Sequence, residues 1–134
     1  MTREARILIG ITLLTVPTII YGGLTLLGVL TRGAAGVKAP ELTALQQSLF
    51  RAGHAHAGVL VILSLVLQLA LDGARLGPGW TWVARIAAPA AAILVSGGFF
   101  GLAFNPSLRW LLYGGAALVA LASVTAGVGL LRAL

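Results

Sequence analysis

Both histidines of the 134-residue chain, His54 and His56, lie two residues apart at the start of a long apolar run. An imidazole can take up a proton near neutral pH, or bind a metal ion through one ring nitrogen. Ionisable side chains inside membrane helices are costly and usually have a function. Two residues are about 200° apart around a helix. The two imidazoles therefore cannot bind one ion together while this segment is helical.

Other polar residues are expected at a similar depth when the apolar runs are paired into helical hairpins. They come from three apolar runs and one turn: Tyr21, Thr25, Arg51, His54, His56, Asn105, Arg109 and Tyr113. If the helices close into a normal bundle, these side chains line one small polar pocket. The predicted cofactor-binding residues are His54, His56, Tyr113, Arg51 and Arg109, with the two histidines as metal ligands. The pattern identifies no catalytic residue.

Haem or a transition metal is the ligand that this set favours. Haem needs only one or two axial ligands from the protein, and helical bundles commonly hold cofactors in their interior. Two separated histidines do not make the four-ligand set of structural zinc within one chain. The chain has no cysteine, which excludes iron–sulfur clusters and disulfides. We therefore expect a redox or sensing protein. Haem bound by two histidines would require a symmetric oligomer; otherwise one histidine would bind haem together with a different ligand.

Three other interpretations of the histidines remain open at this point. One histidine could gate protons or substrate in a small transporter or channel subunit. The chain could also be a non-catalytic accessory subunit of a larger membrane complex. In the simplest case, a histidine at the start of a helix only bonds a backbone carbonyl or a lipid headgroup.

Composition identifies a membrane protein. The chain is 59% hydrophobic and 9% charged, whereas soluble domains have roughly 25% charged residues. The formal charge of +6 comes from cations scattered between apolar runs, where Arg and Lys act as interfacial anchors. The lipid bilayer is therefore the expected partner, and nucleic acid is not.

The apolar runs predict a single all-α domain over residues 1–134, an up-down-up-down four-helix bundle. Its expected spans cover about residues 5–31, 52–71, 82–104 and 108–131, each long enough to cross a bilayer. Tyr21-Gly22-Gly23 and Ser96-Gly97-Gly98 occupy equivalent places, which would fit two hairpin repeats. Residues 40–50, with Pro40 at a first helical position, predict either an amphipathic interfacial helix or an extension of the second span. Asn105 is expected to cap the fourth helix.

Two faces of the predicted helices have polar patterns. Thr18, Tyr21, Gly22 and Thr25 recur at steps of three and four residues, and this face is expected against protein. The second span has Gln68 and Asp72 on the same stripe as His54, so that stripe is expected to face the bundle interior. Gly97 and Gly101 form a small-residue pair typical of helix packing in membranes.

Four spans bring both termini to one side of the membrane. That side carries more cations than the other: Arg3, Arg6, Arg75, Arg85 and Arg132 against Arg32, Lys38, Arg51 and Arg109. The bias predicts cytoplasmic termini in a bacterial-type plasma membrane, with the histidines near the outer leaflet. Four short helices enclose little interior, so a homo-oligomer or a larger membrane complex is expected.

The segment Gly53-His-Ala-His-Ala-Gly-Val-Leu resembles the histidine-bearing helix starts of haem–copper oxidase subunit I and of NnrS-like haem–copper membrane proteins. In those families, a histidine followed by small and apolar residues in an early span binds haem or metal. The run that begins at Tyr21 is similar to such a span, but Leu27 stands where the histidine would be. The resemblance implies that His54 or His56 is an axial ligand in a reduced, oligomeric relative.

Overall fold

The computed structural model describes residues 1–31 and 41–134. These residues form four long helices: α1 (Arg3–Thr31), α2 (Ala44–Asp72), α3 (Pro78–Leu102) and α4 (Arg109–Leu131). A short 3-10 turn, Pro106–Leu108, precedes α4. All four helices are long and apolar enough to cross a membrane. The predicted all-α, four-helix fold is confirmed, and the chain is an integral membrane protein.

The start of α2 is defined by a capping box at Thr43. The Thr43 hydroxyl accepts a hydrogen bond from the Gln46 amide at 3.2 Å, and Gln46 Oε1 accepts one from the Thr43 amide at 3.0 Å. This reciprocal pair satisfies two backbone donors at the helix start. Residues 44–50 are therefore the first turns of α2, continuous with the span that follows. Pro40, predicted at a first helical position, lies outside the described residues.

Consecutive helices run antiparallel, because the start of each of the first three lies beside the end of the next. The Thr2 hydroxyl bonds Asp72, the Gln46 side chain bonds the Ala103 carbonyl, and the Arg75 amide, just before α3, bonds the Gly129 carbonyl. The helices α2, α3 and α4 pack against one another, with α3 at the centre. The fourth member, α1, packs along α2 and touches α3 only slightly; within the described residues it makes no contact with α4. Half of the apolar stretch of α3 is buried, against 6% of that of α1. The bundle is thus a three-helix core with α1 on its flank.

Glycines allow α3 and α4 to approach closely. A Cβ atom on Gly98 would lie 2.7 Å from Leu112 Cδ2, and one on Gly115 would lie 2.5 Å from Val95 Cγ2. Larger residues would separate the two helices. Membrane proteins use small residues where helices cross, so that the backbones can approach closely. Of the predicted glycine pair, Gly101 meets Leu108, whereas Gly97 faces open space. Gly97 is therefore not a packing residue.

A buried amide compensates for the proline in α3. Pro89 has no N–H to donate to the carbonyl of Arg85, four residues earlier. The Gln68 side chain of α2 donates to that carbonyl at 2.8 Å. Gln68 is 1% exposed, which confirms the expectation that its stripe faces the interior. The sequence of α2 therefore supplies the hydrogen bond that the sequence of α3 lacks.

The polar face predicted for α1 does not pack against protein within this chain. Thr18, Tyr21, Gly22 and Thr25 are all exposed. The Thr25 hydroxyl donates to the Tyr21 carbonyl at 2.9 Å, and that of Thr18 donates to the Thr15 carbonyl at 2.6 Å. Threonines that bond to their own helix need no partner helix. No other helix covers this face among the described residues, and its packing against protein stays a prediction.

Candidate functional site

The orientation of His56 is fixed by its own helix. Its Nδ1 atom lies 2.7 Å from the carbonyl oxygen of Ala52, one turn earlier in α2, which is the backbone bond that the simplest interpretation of the histidines expects. A carbonyl oxygen can only accept, so the proton of the neutral ring is on Nδ1 and the Nε2 lone pair is free. On its other side, the ring lies against Phe99 of α3, with the ring centres 4.7 Å apart.

A groove of about 410 Å³ lies beside His56, between α2, α3 and α4. Ligand pockets in proteins are typically about 300–1,000 Å³. The wall is apolar apart from His56 and Tyr113, and the Tyr113 side is open, because that residue is 60% exposed. We call this the His56 groove; its lining residues are His56, Leu60, Val95, Phe99, Leu112, Tyr113, Ala116 and Val119.

His54 lies on a different side of α2, against α1. A Cβ atom on Gly23 would lie 2.7 Å from His54 Nε2 and 2.8 Å from its Cε1 atom. The ring therefore fills the space that a side chain at Gly23 would need. His54 does not line the His56 groove, and the two imidazoles are separated as the helix geometry predicts.

The single polar pocket expected from the sequence is divided in two. Tyr21 and Thr25 line a second, apolar groove of about 360 Å³, which α1 forms with Phe50 and Phe100. The physical reason is the position of α1, which packs on the flank of α2 and does not reach α4. Of the eight residues predicted to meet, His56 and Tyr113 line one groove, and Tyr21 and Thr25 line the other.

The remaining predicted residues lie at the surface. Arg51 is exposed, and it precedes His56 by five residues, so the two side chains leave α2 on different sides. Arg109 is exposed as well, with its guanidinium carbon 5.8 Å from the centre of the Trp110 ring. Arg109 precedes Tyr113 by four residues, which puts both on one face of α4. Arg109 thus lies one helical turn before Tyr113, a residue of the groove wall.

Asn105 has the capping role that the sequence predicts. Its Oδ1 atom accepts a hydrogen bond from the Ser107 amide at 2.9 Å. The cap precedes Pro106, which begins the turn that leads into α4. Asn105 therefore orients the start of the helix that carries Arg109 and Tyr113, and it does not line the groove.

A second polar cluster, which sequence reasoning missed, lies at the opposite end of the bundle. Arg85 of α3 is 3% exposed. Its Nη2 atom lies 2.6 Å from Asp72 Oδ1, and its Nη1 atom donates to Gln68 Oε1 at 3.0 Å. A cation inside a predicted span requires a partner. That rule could have found the pair, because Asp72 ends the preceding span.

Thr2 connects this cluster to α1. Its hydroxyl donates to Asp72 Oδ1 at 2.8 Å and accepts from Arg85 Nη2 at 3.2 Å. Its amide donates to Asp72 Oδ2 at 2.8 Å. The polar network of Thr2, Gln68, Asp72 and Arg85, called the Arg85 network below, therefore holds the start of α1 against α2 and α3.

Comparison of the chain with protein-family models, curated proteins and solved structures gives no match. The chemistry of the two polar ends is therefore the guide to function. In the Arg85 network, each side chain is bonded to another within the network, as in a structural cluster. The His56 groove leaves a ring nitrogen beside an open apolar wall, as in a ligand site.

The His56 groove does not suit a bare metal ion. Within residues 1–31 and 41–134, no three His, Cys, Asp or Glu side chains lie together as a metal site would need. Catalytic zinc takes three protein ligands and structural zinc takes four. One imidazole against an aromatic wall instead suits a planar group that brings its own equatorial ligands.

Proposed function

We propose that this integral membrane protein binds haem in the His56 groove, with His56 Nε2 as an axial ligand, and acts in redox chemistry or sensing. The observation that carries the proposal is the hydrogen bond from His56 Nδ1 to the Ala52 carbonyl at 2.7 Å. Histidines that bind metals typically donate their other ring N–H to a carbonyl or carboxylate, which fixes the ring and makes the free nitrogen more basic.

Haem is favoured over a bare transition metal because of what the chain lacks around His56. The porphyrin supplies four nitrogen ligands, so the protein needs to supply only one or two. The absence of a three-residue metal cluster in the described residues is no obstacle to such a group. When bound, haem would supply one-electron transfer or the binding of a small gaseous ligand.

The remaining residues of the groove have roles that follow from their chemistry. Phe99, Leu60 and Val95 give the apolar walls against which a macrocycle would pack. Tyr113 contributes a hydroxyl to the same wall, and Arg109 lies one turn before it on the same face of α4. A guanidinium in that register is suited to the carboxylates of haem, which arginine binds well. Arg51 and His54 have no role in this assignment.

The resemblance to histidine-bearing helices of haem–copper proteins agrees with an axial role for one of the two histidines. We assign it to His56, because the His54 ring lies against Gly23 of α1. The cations on the terminal side support the further proposal that the termini are cytoplasmic in a bacterial-type plasma membrane. The His56 groove would then open near the outer leaflet.

The test is the absorption spectrum and haem content of the detergent-purified protein, with added haemin where the protein is isolated without it. We expect a Soret band that His56→Ala removes and His54→Ala retains. Ala116→Leu, which fills the groove from α4, should also remove it. Ala55→Leu adds the same bulk to α2 at an exposed position outside the groove, and should leave the band unchanged.

Two results would contradict the proposal. The first is a wild-type protein that remains colourless in the presence of haemin. The second is a Soret band of equal intensity in His56→Ala, because haem would then be partitioning into detergent or binding elsewhere. Elemental analysis for iron, copper and zinc distinguishes haem from a bare ion in the same samples.

A further inference from the structure

On one chain, the His56 groove supplies one of the two ligands that haem can take from protein. It offers one nitrogen, because His54 lies on the α1 side of α2. A macrocycle with one face toward His56 would have its other face outside the groove, where Tyr113 is 60% exposed. No other His, Cys, Asp or Glu lines the groove. One chain therefore covers one face of such a group.

The surface next to the groove is shaped for a close neighbour. Ala117 and Ala120 of α4 follow Tyr113 and Ala116 around the helix, and both are exposed. Small side chains at a lipid-facing surface let a second helix come close. Together with the open groove and its single free ring nitrogen, these alanines form a surface that a second copy can cover.

From these observations we infer that two copies of this chain share one haem, each supplying His56 Nε2 to one face of the iron. The inference rests on the proposed function and names the second ligand of the same site. A two-fold axis through the iron brings the same residue to the same depth from both sides, as a symmetric dimer interface requires. Each imidazole keeps its Nδ1 proton on the Ala52 carbonyl, so ligation needs no proton release and no further reactant.

Symmetry also explains why one histidine per chain is enough. Two equivalent Nε2 atoms would supply both of the ligands that haem can take from protein. Arg109, on the same face of α4 as Tyr113, would then be present twice, once for each haem carboxylate. The groove of about 410 Å³ needs to enclose only half of the macrocycle.

The experiment is a haemin titration of the full chain in detergent, with haem per chain measured by absorbance and chains per particle by light scattering. We expect one haem per two chains, a low-spin spectrum, and dimers that form when haemin is added. Replacing both small residues beside the groove, Ala117→Leu with Ala120→Leu, should leave single chains, lower the haem bound per chain and remove the low-spin spectrum. Gly10→Leu adds bulk at an exposed glycine of α1 with open space around it, and should behave as wild type.

The outcomes separate the two proposals. One haem per single chain, lost in His56→Ala, would overturn the shared site and retain haem binding as the function. If single chains each bind one haem and Tyr113→Phe also changes the spectrum, Tyr113 is the second ligand. Haemin uptake that His56→Ala does not alter would overturn both. If the double leucine variant does not fold, a mixture of wild-type and His56→Ala chains tests the shared site instead. A shared site predicts that the His56→Ala chains lower the haem bound per wild-type chain, and an unchanged ratio would overturn it.

Discussion

Polar side chains differ in burial and in bonding between the two ends of this bundle. At the end that carries the chain terminus, Arg85 and Gln68 are buried and bonded to each other, and Arg85 is also paired with Asp72. At the other end, His56 and Tyr113 are exposed along an apolar groove. Both ends contain polar groups inside predicted spans, but only the first uses them to join helices.

This difference distinguishes polar groups that are bonded to one another from polar groups that are open to a ligand. A buried charge must be paired, because removing it from water costs several kcal/mol. The Arg85 network meets that requirement within the chain and so has no capacity left for a ligand. In the His56 groove, the lone pair of His56 Nε2 has no partner within the described residues, which costs little only where water, a lipid headgroup or a ligand can reach it. Mutations at the first end should therefore change stability, and mutations at the second should change binding.

The largest effect is expected from Asp72→Ala. The substitution leaves the Arg85 guanidinium buried without its carboxylate and frees Thr2 from α2. Breaking a buried ion pair on one side costs about 3–5 kcal/mol, and we expect a loss in this range. The midpoint of unfolding in mixed detergent micelles measures it. Haem uptake by the fraction that remains folded should be unchanged, since the His56 groove is at the other end.

Two controls test whether the pair itself is responsible. Arg75→Ala removes an exposed arginine from the same end, and we expect a change within about 0.5 kcal/mol. The double variant Asp72→Leu with Arg85→Met removes both charges, and it should recover most of the loss, because apolar replacements of buried pairs are often well tolerated. Equal destabilisation by Arg75→Ala and Asp72→Ala would show that the Arg85 network does not hold the bundle together.

Much of the fold could be predicted from the sequence because each span is recognised by its own composition. The four helices, the inward stripe with Gln68, the Asn105 cap and the separation of the two imidazoles all follow from local pattern and helix geometry. Each depends on residues close together in the chain. Local rules are reliable for such features.

The packing of α1 could not be predicted in this way. Lipid is as apolar as leucine, so hydropathy does not indicate which neighbour a span prefers. The position of α1 depends on the contact of Gly23 with His54 and on the bonds of Thr2 with Asp72 and Arg85. These contacts join residues far apart in the chain. Because the sequence does not reveal these contacts, it predicts a closed bundle with one polar pocket.

A smaller loss of stability is expected from Gln68→Leu. This change removes the donor that bonds the Arg85 carbonyl, which Pro89 leaves without its usual partner. A buried acceptor without a donor costs about 1–3 kcal/mol, and we expect about 2 kcal/mol. Unfolding in mixed micelles measures this as well. Gln47→Leu is the matched control, since the Gln47 amide bonds only the nearby Leu42 carbonyl, and it should cost less.

The role of Pro89 can be separated from the other contacts of Gln68. Pro89→Ala restores a backbone N–H that can bond the Arg85 carbonyl within α3. In that background, Gln68→Leu should cost less than in the wild type, which a double-mutant cycle detects. An unchanged cost would mean that Gln68 acts only through the Arg85 guanidinium.

The smallest effect is expected from Gly23→Ala, which tests how His54 differs from His56. The added Cβ would lie 2.7 Å from His54 Nε2, so the imidazole must move or α1 must shift. Overpacking typically costs about 1–3 kcal/mol. We expect about 1 kcal/mol, because the atom in the way is at the end of a side chain. Gly22→Ala is the control, since a Cβ there meets nothing within 4 Å.

The pair Gly23 and His54 should be coupled in stability and uncoupled from haem. His54→Ala removes the ring that Gly23 accommodates, so Gly23→Ala should cost little in that background, which unfolding of the four variants measures. Haem uptake should be the same in all four, because His56 and its bond to Ala52 are unaltered. If uptake instead falls with His54→Ala as far as with His56→Ala, His54 belongs to the ligand site and the division between the two histidines is wrong. If it does not, His54 holds α1 to α2 while His56 remains available to a ligand.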